Sequence, residues 1–152
     1  MKGYLKVLLL SSIFISVTSC SYIKSFKLQA QTSKYNEAKQ LWDSKNTTGS
    51  YQFTINRFCQ ICVEGDVEVF VSDDKITQII QVETGNMIGI GSFSTIDEQF
   101  EWIEGKLNTQ PYPAELEVEY DVLIGYPTSI VYDASKAGAD DEYSEEVTAF
   151  KF

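Results

Sequence analysis

The chain has 152 residues, no histidine and a formal net charge of −10. Its length suits one domain, or two very small ones that share a core, and its 43% hydrophobic residues are typical of a globular protein. Nucleic acid is not an expected partner, because binding to phosphates depends on Lys and Arg. Without histidine, neither a Ser-His-Asp or Cys-His pair nor a histidine-ligated metal is possible, and no cofactor is expected.

Residues 1–19 have the features of a secretory signal peptide. Lys2 and Lys6 precede an apolar run over residues 7–17, which is shorter than the roughly 20 residues of a membrane-spanning helix. Val17-Thr18-Ser19-Cys20 is similar to the lipobox of bacterial lipoproteins, in which the cysteine is acylated and the peptide is cut just before it. We therefore expect lipid, such as palmitate, on Cys20. The alternative is an ordinary signal peptide with an incidental cysteine.

Lipid on Cys20 would attach the mature protein to a membrane of the cell envelope. Removing residues 1–19 takes away Lys2 and Lys6 and changes the net charge from −10 to −12. Electrostatic attraction to anionic lipid is therefore not expected to hold the protein at the membrane. Several acyl chains on one residue anchor firmly. Ser21 stands where Asp favours retention at the inner membrane in lipoproteins. The resemblance therefore implies the outer membrane, facing the periplasm, if the organism has one.

The chain has three cysteines, and lipid on Cys20 would leave Cys59 and Cys62 as an even pair. Cys59-Gln60-Ile61-Cys62 follows a predicted strand, so it lacks the helix dipole that lowers the thiol pKa in redox dithiols. Zinc would need more ligands, and the chain has no second cysteine pair. A structural disulfide is the favoured interpretation. Thiol–disulfide exchange and a reduced or metal-bound pair are the alternatives.

Residue patterns predict a helix, three strands, a second helix and three more strands. Residues 20–32 are mixed and polar and are expected to form a lipidated tether before a single domain at 33–152. The first helix is predicted over Ser33–Lys45 with Ser33 as its cap, and the second begins at Thr95 with the capping box Thr95-x-x-Glu98. Strands are predicted at Tyr51–Phe58, Val67–Val71, Ile76–Glu83, Leu116–Val122, Thr128–Asp133 and about Tyr143–Phe152.

This order favours an α+β fold. Each half is about 55–60 residues long, near the lower limit for independent stability. We therefore expect two related αβββ units joined in one antiparallel sheet, with both helices on one face. The carboxylates on the edge strands would discourage edge-to-edge pairing.

Two further features have a functional and a structural interpretation. The carboxylate runs Asp73-Asp74, Asp140-Asp141-Glu142 and Glu145-Glu146 are interpreted as solvated loops and sheet faces, with a hydrolase carboxylate pair or a calcium site as alternatives. Gly125-Tyr126-Pro127 predicts a tight turn whose tyrosine packs on the sheet. The alternative is that Tyr126 and Pro127 shape a recognition surface.

Six features recur in chain order: Trp42, Tyr51-Gln52-Phe53, the pair Cys59 and Cys62, Thr95-Ile96-Asp97-Glu98-Gln99-Phe100, Gly125-Tyr126-Pro127-Thr128-Ser129-Ile130 and Asp140-Asp141-Glu142. Together they resemble a family of bacterial lipoproteins known as domain of unknown function 6174, over roughly Tyr35 to Phe152. The cysteine pair is spaced one residue wider here than in that family. The family has no established activity, so the resemblance implies a fold and a location but no reaction.

Taken together, these patterns predict a non-enzymatic binding or structural module at the envelope, whose partner could be an envelope protein. A thiol–disulfide protein that uses Cys59 and Cys62 is the alternative, and an acidic hydrolase is a third hypothesis.

Overall fold

A computed structural model describes residues 15–59, 65–137 and 142–152, with side chains from Phe26 onward. Its elements are α1 (Ile15–Lys45), β1 (Tyr51–Phe58), β2 (Val67–Ser72), β3 (Lys75–Gln81), α2 (Ile96–Leu107), β4 (Glu115–Tyr120), β5 (Pro127–Asp133) and β6 (Glu142–Lys151), with a single 3-10 turn at Ile90–Ser92. The predicted order of helix, three strands, helix, three strands is confirmed.

The six strands form one antiparallel sheet in the order β3-β2-β1-β6-β5-β4. Each three-stranded unit is a meander, and the units join where β1 pairs with β6. The first strand of one unit therefore lies beside the last strand of the other. As a consequence, β1 occupies the middle of the sheet while its counterpart β4 lies at an edge.

Helix α2 forms as the sequence predicts. The Thr95 hydroxyl accepts a hydrogen bond from the Glu98 amide at 3.1 Å, and the Glu98 carboxylate accepts one from the Thr95 amide at 2.8 Å. These bonds satisfy amides that the first turn leaves without helical partners. The apolar stripe of the helix is buried, and it consists of Ile96, Phe100, Ile103 and Leu107.

Helix α1 is longer than predicted, so the prediction that it begins at Ser33 is wrong. The Ser33 hydroxyl bonds to the Glu37 carboxylate at 3.1 Å instead of capping a helix end. The Thr32 hydroxyl donates to the Leu28 carbonyl at 2.8 Å, a bond that helical backbone allows. No Gly or Pro interrupts residues 15–45, so the helix runs back through Cys20 and the segment predicted as a tether.

Both helices cover the same face of the sheet. The Trp42 ring on α1 lies 5.1 Å from the Tyr51 ring on β1, and the Tyr51 hydroxyl accepts a hydrogen bond from the first amide of α2, at Ile96. The buried hydrophobic strand residues on this face are Tyr51, Phe53, Ile55, Val67, Val69, Val71, Ile79, Leu116, Val118, Ile130 and Val147. The opposite face carries half-buried and exposed polar side chains such as Gln52 and Glu117.

Strand β4 ends earlier than predicted. It stops at Tyr120, and the side chain of Val122 is 84% exposed instead of facing the core. The Asp121 carboxylate accepts hydrogen bonds from the amides of Leu123 and Ile124 at 2.9 and 2.8 Å. These bonds favour a turn over continued pairing, because Asp side chains compete with the strand ladder for local amides.

Candidate functional site

A pocket of about 400 Å³ lies between α2 and the half of the sheet formed by β1, β6 and β5. It is lined by Arg57 of β1, by Ser94 just before α2, by Gln99, Trp102 and Lys106 of α2, by Ile130 and Tyr132 of β5, and by Glu142, Tyr143 and Glu145 of β6. Its volume falls within the range of small-molecule sites in proteins, about 300–1,000 Å³.

A buried ion pair forms one wall of the pocket. Arg57 is the only arginine in the sequence, and its cross-strand partner is Glu145. Its Nε and Nη2 atoms lie 3.2 and 3.0 Å from Glu145 Oε2, and the side chains are only 16% and 2% exposed. Its Nη1 atom donates to the Ser92 carbonyl at 2.7 Å. The guanidinium is thus held on two sides.

Aromatic rings enclose this ion pair. The Arg57 guanidinium carbon lies 4.6 Å from the Phe93 ring centroid and 5.4 Å from that of Tyr143. The Tyr143 hydroxyl donates a third hydrogen bond to Glu145 Oε2. Burial raises the pKa of Tyr143, the Glu145 carboxylate raises it further, and Arg57 opposes the shift. Three donors therefore converge on a single carboxylate oxygen.

Gln99 on α2 contributes a buried amide to the pocket. The residue is 3% exposed, and neither its Nε2 nor its Oε1 atom has a hydrogen-bond partner among the residues that the structure describes. Gln99, Trp102 and Lys106 are spaced by three and four residues, so they share a helix face next to the apolar stripe. Buried polar atoms are normally paired, and each exception calls for an explanation.

The mouth of the pocket is aromatic and cationic. The Lys106 ammonium lies 5.2 Å from the Trp102 ring centroid and 4.7 Å from that of Tyr132, and these two rings are 5.2 Å apart. Lys106 forms no ion pair with a carboxylate in the described ranges. Flat rings beside a buried amide can stack on a small polar molecule and hydrogen-bond to it.

A second pocket, of about 350 Å³, lies between α1 and the start of β4. Two of its three lysines, Lys27 and Lys34, lie 3.9 and 2.9 Å from Glu117 and Glu119. These two charges are paired within the protein and are largely solvated. The lining has one buried polar atom without a partner among the described residues, the Tyr112 hydroxyl, whereas Gln99 has two, so this pocket gives less reason to expect a ligand.

The cysteines predicted as sites are described only in part. Cys20 lies within α1, and lipid on it stays a prediction. Cys59 follows the last residue of β1 and is disulfide-bonded, whereas Cys62 lies outside the described residues. The pairing of Cys59 with Cys62 therefore also stays a prediction. Asp140 and Asp141 lie outside the described residues too.

The structure buries Tyr126 and Pro127, the residues considered as a recognition surface. The Tyr126 ring stacks on Phe150 with centroids 4.5 Å apart, and Pro127 is among the fully buried side chains. Gly125 has φ +96°, and a Cβ atom on it would lie 2.4 Å from the Ala38 carbonyl oxygen of α1. This geometry fits a tight turn packed under α1 and gives no support to a surface at these two residues.

The interpretation of Glu145-Glu146 as a solvated pair is wrong for Glu145. Glu146 is exposed, whereas Glu145 faces inward between Tyr143 and Val147. A charged residue at an inward position of an alternating strand could have indicated this burial. The second feature that the sequence did not predict is the helix face formed by Gln99, Trp102 and Lys106. Its helical spacing is visible, but its position over the pocket is not.

Asp73 and Asp74 are exposed to solvent, as predicted. Asp73 and Asp74 form the exposed turn between β2 and β3, with φ values of 51° and 58°. Within the described ranges, no three Cys, Asp or Glu side chains are grouped as metal ligands would be. No helix in that part of the chain combines the length and the apolar character needed to cross a membrane.

The fold and the site define an α+β domain with a polar, partly aromatic pocket beneath its second helix. Residues 34–152 match the profile of a family of unknown function, DUF6174, so the chain belongs to that family. No curated protein and no solved structure matches the chain.

Proposed function

We propose that this protein is a lipid-anchored envelope lipoprotein whose folded body is a non-enzymatic binding module, with the pocket beneath α2 as its binding site. The buried Gln99 amide is the observation that carries the proposal. A buried polar group without a partner costs about 1–3 kcal/mol. An apolar side chain would avoid that cost. We infer that the amide is kept because the side chain, whose polar atoms are covered in the structure, turns towards the pocket and hydrogen-bonds to a bound molecule.

The buried ion pair supports the same proposal. Arg57 and Glu145 are held by each other, by the Ser92 carbonyl and by the Tyr143 hydroxyl. Binding sites need walls whose side chains are already fixed by such contacts, because ordering them on binding would cost affinity.

The proposed anchor rests on the signal-like segment before Cys20 and on the course of α1. The helix is continuous from Cys20 to Tyr35, a core residue. At about 1.5 Å per residue, it would place Tyr35 roughly 22 Å along the axis from the lipid. The tether would then act as a helical spacer, and the proposed location is the outer membrane, facing the periplasm, in an organism that has one.

Ligand binding can be tested with the two tryptophan indole N–H signals in NMR spectra of the purified full chain in detergent. Trp102 lines the pocket, whereas Trp42 is buried in the core. We expect small polar compounds from a fragment library to shift the Trp102 signal and to leave the Trp42 signal in place. Trp102→Phe assigns the reporting signal. A library without any compound that shifts Trp102 selectively would contradict the proposed site, and chemical conversion of a bound compound would contradict a non-enzymatic role.

The anchor can be tested in cells fed a labelled fatty acid. Cys20→Ser should abolish labelling and either release the protein or leave its precursor uncleaved. Cys59→Ser is the matched control and should keep the label. A processed, membrane-bound Cys20→Ser protein would show that the attachment does not depend on this cysteine.

Thiol–disulfide exchange through Cys59 and Cys62 is the alternative proposal. A structural disulfide has a reduction potential below about −300 mV and resists glutathione, whereas an exchange-active pair is less reducing. Measuring the potential of the purified protein separates the two roles.

A further inference from the structure

Two cationic side chains line the pocket beneath α2, and each of them lies against aromatic rings. The Arg57 guanidinium carbon is 4.6 and 5.4 Å from two ring centroids, and the Lys106 ammonium is 5.2 and 4.7 Å from two others. Such contacts hold a cation in place without neutralising its charge. Arg57 also has a carboxylate partner, because its Nη2 atom lies 3.0 Å from Glu145 Oε2. Among the described residues, no carboxylate oxygen lies within 4.0 Å of the Lys106 ammonium.

The charges on the helix-covered side of the pocket favour an anionic ligand. Glu142 is exposed, and the alternation along β6 assigns it to the sheet face opposite Tyr143 and Glu145. Arg57 and Lys106 against Glu145 therefore leave one positive charge in excess on this side, whereas the chain as a whole has a net charge of −10. The Lys106 side chain is half-buried, and a bound anion would offset the desolvation of its ammonium group.

The aromatic rings beside Lys106 favour a ligand with a flat, apolar part. The Trp102 ring lies 5.2 Å from that of Tyr132 and 5.7 Å from that of Tyr143, and all three residues line the pocket. Aromatic surfaces of this kind pack on other rings in stacked or edge-to-face geometry. The pocket volume of about 400 Å³ is near the lower end of the range of small-molecule sites, so the ligand is a small one.

We propose that the pocket binds a small organic carboxylate that carries a ring, with the carboxylate on the Lys106 ammonium and the ring against Trp102. The ligand would then supply to Lys106 the negative charge that Glu145 supplies to Arg57. This inference rests on the proposed binding function and names the chemical class of its ligand.

The test is an NMR titration of the purified full chain in non-ionic detergent with four probes. Benzoate, benzamide and benzylamine share a phenyl ring and differ in charge, whereas acetate has the carboxylate without the ring. We expect benzoate to shift the indole signal of Trp102, to leave that of Trp42 in place, and to bind about tenfold more tightly than benzamide, because a charge-assisted hydrogen bond is added. Benzylamine and acetate should bind more weakly than benzoate. Added salt should weaken the binding of benzoate and leave that of benzamide unchanged.

Lysine variants separate recognition of the charge from folding. Lys106→Gln removes the ammonium group and should reduce the affinity for benzoate about tenfold, to that for benzamide. Lys106→Arg keeps a positive charge and should keep the preference for benzoate. Lys75→Gln is the matched control: Lys75 is exposed at the start of β3 and does not line the pocket, so the dissociation constants should stay unchanged. An unshifted Trp42 signal verifies the fold of each variant.

Three results would overturn the inference while the proposed binding site stands: benzamide or benzylamine binding as tightly as benzoate, acetate binding as tightly as benzoate, or a benzoate affinity that Lys106→Gln leaves unchanged. Failure of benzoate to shift Trp102 when another fragment does so overturns it as well. If no fragment of any chemistry shifts Trp102 selectively, the proposed function fails together with the inference.

Discussion

The surroundings of the two tryptophans differ, although both residues lie between a helix and the same face of the sheet. Trp42 on α1 is 0% exposed, its ring lies 5.1 Å from Tyr51 and 5.8 Å from Phe150, and its indole N–H donates to Asp97 at 3.1 Å. Trp102 on α2 is half-buried and borders the polar pocket. Trp42 is surrounded by packed rings, whereas Trp102 lies beside an ion pair and the Gln99 amide, which has no hydrogen-bond partner among the described residues.

This difference separates two uses of the same architecture. Close-packed rings contribute apolar burial and dispersion energy to stability. A buried ion pair is weak evidence for stability, and an unpartnered amide opposes it. We infer that the Trp42 region holds the fold together, and that the polar groups near Trp102 are kept for binding.

The largest expected effect is in the Trp42 region. Trp42→Ala should lower the free energy of unfolding by about 3–5 kcal/mol, because it removes a fully buried ring and leaves a cavity. Urea denaturation followed by circular dichroism measures the loss. Trp102→Ala is the control and should cost clearly less, since its ring is half-buried. Equal losses at the two positions would contradict the division into a stability region and a binding region.

Gly125→Ala should destabilise the same region by about 2 kcal/mol or more. The residue has φ +96°, and its added Cβ atom would lie 2.4 Å from a carbonyl oxygen of α1. Gly105→Ala is the matched control on α2, where nothing lies within 4 Å of the added atom. That change should stabilise the protein by roughly 0.5–1 kcal/mol, because Ala favours helix. Thermal and urea denaturation would measure the change in the free energy of unfolding for both variants. A Gly125→Ala protein as stable as the parent would contradict the close packing against α1.

Sequence patterns were sufficient for most of the fold because its signals are local. The capping box at Thr95 and the alternation in strands such as Tyr51–Phe58 depend on residues a few positions apart. The start of α1 was missed for the same reason. The helix has no cap or breaker at Ser33, and its residues 26–34 are exposed or half-buried, so nothing local marks where the predicted tether joins the helix.

The pocket could not be predicted because its parts meet only through long-range pairing. Arg57 and Glu145 are separated by 88 positions and become neighbours through the register of β1 with β6. The sequence contains the inward position of Glu145 and the spacing of Gln99, Trp102 and Lys106. The sequence does not reveal that β6 places Glu145 beneath that face of α2.

Gln99→Leu should change stability in the opposite direction to the two core variants. Removing a buried amide without a partner in the described residues relieves its desolvation cost, so we expect no loss and a gain of up to about 1 kcal/mol. Gln52→Leu is the control. It breaks a half-buried hydrogen bond to Glu68, and the loss should reach about 1 kcal/mol at most. Urea denaturation compares the free energies of unfolding of the two variants. If Gln99→Leu loses more stability than Gln52→Leu, the Gln99 amide stabilises the fold.

The smallest expected effect is on the alkaline side of the pH profile, and it involves both regions. Burial is the main cause that raises the pKa of Tyr51 in the ring cluster and of Tyr143 at the pocket. A raised pKa in the folded state means that the neutral phenol is favoured there. The corresponding stability is fully present below the unfolded pKa of about 10 and is lost as the pH rises above it.

Tyrosinate absorbance against pH tests this expectation. The tyrosines whose pKa burial raises should ionise only at higher pH or on unfolding, whereas in denaturant all nine should ionise together near pH 10. Glu145→Gln sharpens the comparison between the regions. Because the Glu145 carboxylate raises the pKa of Tyr143 and is not among the causes of the shift of Tyr51, the substitution should lower only the pKa of Tyr143. If the pKa of Tyr143 does not respond to Glu145→Gln, burial alone raises it. The electrostatic coupling between Glu145 and Tyr143 would then be too weak to distinguish the pocket wall from the aromatic core.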